Sequence, residues 1–113
     1  MHEYRAYVRK VYDGDTITVD IDLGFGIVMK AQKIRLLYID TPEIRGESRE
    51  MGLKSRDALR EKIGNKWVMI KTHKDRKGKY GRWLGEIFIG DGESQLNINN
   101  WLVNEGLAKR LES

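Results

Sequence analysis

Residues 16–23 alternate without a break: Ile17, Val19, Ile21 and Leu23 fall on one face, Thr18, Asp20 and Asp22 on the other. Successive strand side chains point to opposite faces, so this period of two predicts a half-buried β-strand and excludes an amphipathic helix. Asp13-Gly14 before it and Leu23-Gly24-Phe25-Gly26 after it are turn-forming. They set the strand between two neighbours, residues 4–12 and 28–39, in a three-stranded meander. Such a sheet must cover its apolar face, so the remaining chain has to supply partners.

Residues 51–63 are rich in helix formers, and Ser55, Leu59 and Ile63, joined by Ala58, make a narrow apolar stripe that Gly64 ends as a left-handed cap. Residues 67–71 and 82–89 alternate as strands around a hydrophilic connection, 72–81, with a turn at Asp91-Gly92. Asn97 or Asn99 caps a second helix reaching Glu105, with Ile98, Leu102 and Val103 as its buried side and Gly106 as its stop. The order βββ-α-ββ-α is that of an OB-fold, a five-stranded Greek-key β-barrel with helices. No repeat or linker interrupts residues 1–113, and Pro42, the sole proline, lies inside a motif, so a single domain is expected.

With 113 residues, 40% of them hydrophobic, the chain suffices for one core. Its 21 Lys and Arg against 17 Asp and Glu give a net charge of +4, a lean toward polyanions such as nucleic acid. The absence of cysteine excludes disulfides, thiolate zinc sites and cysteine nucleophiles. With only His2 and His73, oxygen ligands and a hard cation are expected. No apolar run approaches the roughly 18–20 residues of a membrane span, and residues 1–10 lack a signal-peptide core. A soluble monomer with no membrane partner is expected; its compartment, cytoplasmic as given or secreted if a leader was removed, is left open.

Three segments carry polar residues that packing does not require: Asp13-Gly14-Asp15-Thr16, the run Arg35 to Glu43, and Lys79-Tyr80-Gly81-Arg82. The middle one is an apolar strand that begins with a guanidinium and ends in two carboxylates. Crowded carboxylates repel unless a cation or arginine neutralises them. Asp15 and Asp40 can hold Ca²⁺, which takes about 6–8 oxygens and fills its other positions with a carbonyl, waters and a phosphate oxygen. Glu43 can accept a proton from an attacking water, or orient it. Arg35 and Arg82 can clamp a phosphate as its charge grows, with a fork of donors that lysine lacks. Taken singly, the first segment is also a plain hairpin turn and Thr41-Pro42-Glu43 a plain helix start. Arg35 and Asp40 have opposite parity on an ideal strand, so their convergence requires an irregularity between them.

These motifs, with Asn104-Glu105-Gly106-Leu107-Ala108, resemble the staphylococcal-type nuclease (thermonuclease) family from Val11 to Arg110. The resemblance implies a calcium-dependent endonuclease on an OB-fold, hydrolysing DNA and RNA by in-line water attack and leaving 3′-phosphate ends. It implies calcium on Asp15, Asp40 and the Thr41 carbonyl, Glu43 as general base, and Arg35 and Arg82 on the phosphate. Lys79 and Tyr80 match positions that contact a terminal phosphate. Single-stranded or flexible substrate is expected, because unstacked backbone bends into a small concave site. The rival readings are a non-catalytic nucleic-acid-binding barrel and a protein-interaction module.

The sequence departs from the founding members in several places. The turn around residues 23–33 is longer, as in phage-type relatives; the loop 44–51 is shorter; and Gly78 replaces a frequent acid. The chain ends at Ser113, where founding members continue into base-stacking aromatics and a third helix, so either weaker nucleotide affinity or a surface supplied by another chain is expected. Lys71, Lys74, Arg76, Lys77 and Lys79 read equally as a phosphate-attracting run and as a solvated loop. Trp67, Trp83 and Trp101 occupy apolar pattern positions and are expected in the core rather than stacked on bases. Gly24-Phe25-Gly26 fails the dinucleotide fingerprint because Met29 stands where a glycine is needed, so no nucleotide cofactor is implied.

Overall fold

In the computed structural model, which describes residues 2–74 and 82–111, β1 (His2–Asp13), β2 (Thr16–Gly24) and β3 (Ile27–Leu36) form the antiparallel meander. After a two-residue strand β4 (Ile39–Asp40) comes α1 (Arg49–Ile63), and then β5 (Trp67–Lys74), which returns antiparallel to β1. β6 (Trp83–Ile89) runs back along β5. It also pairs in parallel with β3, Ile34 opposite Trp83 and Leu36 opposite Gly85, which closes a five-stranded barrel. Closure pairs the strand edges that an open sheet would leave exposed. The chain finishes with β7 (Leu96–Asn97), α2 (Ile98–Asn104) and β8 (Lys109–Arg110). The barrel with two helices is the OB-fold that the order of elements implies.

The alternating residues meet inside. Ile17, Val19, Ile34 and Ile70 are fully buried, and Leu59 and Ile63 of α1 and Ile98 and Leu102 of α2 complete the core. Asn97 caps α2, its side chain accepting from the Asn100 N–H at 3.1 Å. Gly106 ends that helix at φ 73°.

Four local expectations are corrected. The third strand stops at Leu36 rather than Ile39, because Tyr38 turns left-handed at φ 64°. Gly64 is not the left-handed residue after α1: its φ is −59°, and Asn65 takes that conformation at φ 55°. Glycine is needed at 64 for space, since a Cβ there would stand 2.4 Å from the Arg60 carbonyl oxygen. Leu23 is exposed although it shares the parity of Ile21, because the β2–β3 hairpin overshoots the barrel and leaves Phe25 wholly in solvent. Trp67 lies half in solvent beneath the Arg5 guanidinium, 4.5 Å from its ring, while Trp83 and Trp101 pack against the core.

Candidate active site

The site is built where β3 ends. Arg35 lies on the outer face of β3 and curls forward, so that Nη1 donates to the carbonyls of Leu36 and Ile39, both at 2.9 Å. These bonds hold the left-handed turn at Tyr38 closed and start β4 on a new heading. Nη2 of the same guanidinium reaches Asp40 Oδ1 at 3.3 Å and Asp15 Oδ2 at 3.4 Å. The interruption between Arg35 and Asp40 is thus a strand end stitched by the arginine itself.

Asp15 arrives from the β1–β2 hairpin. Its N–H donates to Asp13 Oδ1 at 3.1 Å, a side-chain turn that aspartate favours. Its Oδ2 accepts from the Thr41 N–H at 3.0 Å, and its own carbonyl accepts from the Leu36 N–H at 2.8 Å. Gly14 permits this contact, since a Cβ there would lie 2.7 Å from Thr41 Cγ2 and 2.9 Å from Ser55 Cβ. Asp15, Arg35, Asp40 and Thr41 are therefore brought together. Asp15 is buried, whereas half of the Asp40 side chain faces water. Burial, helped by the neighbouring Asp15 carboxyl, pushes the Asp13 carboxyl up to about 6.

Glu43 is exposed, and its carboxylate makes no hydrogen bond or ion pair with any described residue. Its backbone is nevertheless fixed. The carbonyl accepts from Ser48 Oγ at 3.0 Å and lies so close to α1 that a Cβ on Gly52 would be 2.2 Å from it. Arg82, just before β6, lines a cleft of about 530 Å³ together with Asp13, Thr16 and Lys33. Lys79 and Tyr80 lie outside the described residues.

The donors near Asp15 are all oxygens: two carboxylates and the Thr41 backbone. The Thr41 Oγ1 is also buried there without a hydrogen-bond partner among the described residues. Such a set fits a hard divalent cation that keeps several waters. No cluster of three or more His, Asp or Glu side chains suited to a metal occurs among the described residues, so the two aspartates would carry the charge.

Two supports were not legible beforehand. Asn99, weighed only as a possible cap, is buried: Oδ1 accepts from the Ile87 N–H at 3.2 Å, and Nδ2 donates to the carbonyls of Leu37 and Gly85 at 3.0 and 3.1 Å. It ties α2 to β6 and to the turn that carries Asp40. Its signal was a polar residue between two core positions, Ile98 and Leu102. The second support is the pairing of β4 with β8, Asp40 opposite Lys109, reinforced by the Leu111 N–H donating to the Tyr38 carbonyl at 2.8 Å.

A family model described as Staphylococcal nuclease homologue matches residues 33–113. The chain is similar to an uncharacterized endonuclease of Escherichia coli O157:H7, at 35% identity over 89% of this chain and 57% of the relative. It is similar to a thermonuclease of Staphylococcus hyicus, at 32% over 96% of this chain and 60% of the relative, and to a micrococcal nuclease of Shigella flexneri, at 32% over 94% and 58%. The chain thus spans less than two thirds of the length of these relatives. With the matched region reaching from β3 through the Asp40 turn to β8, the chain belongs to the staphylococcal nuclease family.

Proposed function

We propose that this protein is a calcium-dependent endonuclease that hydrolyses phosphodiester bonds of DNA and RNA, with flexible or single-stranded chains preferred. The observation that supports this most is the single guanidinium nitrogen of Arg35 lying within 3.4 Å of both Asp15 and Asp40, beside the cleft that Arg82 lines. The names of the relatives, endonuclease and thermonuclease, point the same way.

Asp15, Asp40 and the Thr41 carbonyl would hold the calcium ion, which when bound supplies positive charge to a phosphate oxygen. Arg35 and Arg82 grip the remaining phosphate oxygens, and their fixed donors favour the extra charge of the transition state. Glu43, solvent-facing on an anchored backbone, takes a proton from the attacking water as the water oxygen bonds to phosphorus. The bond to the 5′ oxygen breaks, that oxygen collects a proton from solvent, and the other product keeps a 3′ phosphate.

The test is digestion of single-stranded DNA, duplex DNA and RNA with calcium or with chelator, comparing the parent with Glu43→Ala and Arg82→Ala. Each substitution is expected to slow cleavage by about 100-fold or more. Variants that cut as fast as the parent would refute the assignments, and binding without any cleavage would favour a passive nucleic-acid-binding barrel.

A further inference from the structure

The cleft beside the candidate site carries side chains that the proposed chemistry does not use. Lys10 of β1 lies opposite Thr18 of β2, and Thr18 opposite Lys33 of β3, so the three stand in one cross-strand row. Both lysines are exposed, and neither forms an ion pair with a described residue. Lys10 reaches this face only through a bulge: it shares the parity of the buried Val8, and the register shift between Val8 and Lys10 turns it outward. A second shift, between Val11 and Asp13, leaves Tyr12 half exposed at the rim, its hydroxyl accepting from Arg45 Nη2 at 3.3 Å.

The next row on the same face is Thr16 opposite Arg35. Two residues along a strand cover about 6.6 Å, which is on the scale of one sugar-phosphate repeat. Arg82 lines the same cleft, and among the described residues that line it Asp13 is the one carboxylate. On the far side of Thr18, Asp20 is already neutralised by Arg9, so it does not repel an approaching polyanion.

We propose that Lys10, Thr18 and Lys33 form a second phosphate subsite. It grips a single-stranded nucleic acid one nucleotide step from the bond that is cut, with the Tyr12 ring offering a stacking face to an unpaired base. This rests on the nuclease reading and adds a preference for polymers over dinucleotides.

The test uses the double variant Lys10→Gln/Lys33→Gln, checked for folding by thermal melting. Cleavage of a single-stranded oligonucleotide and of a dinucleotide is compared in calcium. In parallel, binding of a fluorescent oligonucleotide is followed by anisotropy in chelator across a salt series. The oligonucleotide-to-dinucleotide ratio of kcat/KM is expected to fall about tenfold through KM, and the slope of log Kd against log salt to flatten by about 1.4, or about 0.7 for each single-strand contact removed. An unaltered ratio and slope, or equal losses on both substrates, would overturn the subsite. Should the parent cut neither substrate, the nuclease reading fails and the salt slope alone decides the subsite; a parent that binds no oligonucleotide refutes it.

Discussion

Arg35 and Asp40 meet at 3.3 Å although five residues of regular strand would set them on opposite faces. The arginine makes the meeting possible by holding the Leu36 and Ile39 carbonyls across the Tyr38 turn. Arg35→Lys keeps the charge but loses the fork, so two carbonyls lose their donor. The expected outcome is a loss of about 1–3 kcal/mol in urea denaturation, together with a fall in kcat larger than the stability change explains.

Gly52 touches no proposed substrate, yet a methyl group there would collide with the Glu43 carbonyl. Gly52→Ala is expected to push the Pro42–Glu43 backbone away from α1. Because small misplacements of a catalytic group are costly, cleavage should drop about 10- to 100-fold while the protein remains folded, as read by kinetics beside circular dichroism.

Asn99→Leu removes three hydrogen bonds from a buried clasp. The orphaned Ile87 N–H and Leu37 carbonyl dominate the cost, since the Gly85 carbonyl still accepts from the Leu37 N–H. A loss of about 2–4 kcal/mol is expected by urea denaturation.

Asp20 titrates below its ordinary value because its carboxylate accepts from the Ala31 N–H and from Arg9. A depressed carboxylate adds stability above its unfolded pKa of about 3.9, and that stability is lost as pH falls through the lower folded value. Asp20→Asn should therefore be less stable than the parent near pH 7, with the difference shrinking below about pH 4. Denaturation curves at both ends of that range check it.

Calcium binding should also be visible without substrate. A ligand that binds only the folded state raises stability, by about 2.7 kcal/mol at 100 times its Kd. The melting temperature of the parent should rise with calcium and return with chelator. Asp40→Asn, which leaves the exposed position polar but uncharged, should abolish most of the response.

The sequence alone determined the elements and pointed to the chemistry proposed for them. Local alternation named the strands, helical spacing named Ser55, Leu59 and Ile63, and the motif residues pointed to a phosphate and a hard cation, because these signals are written in near neighbours. Local pattern misplaced Gly64 and Trp67, where conformation and burial depend on what lies across the fold. Only the tertiary structure decided that β3 breaks at Tyr38, that Asn99 clasps the turn, and that a bulge swings Lys10 to the cleft. Each of these requires partners dozens of residues away or a slip in pairing register, and hydrogen bonds closed across such distances leave no period in the chain.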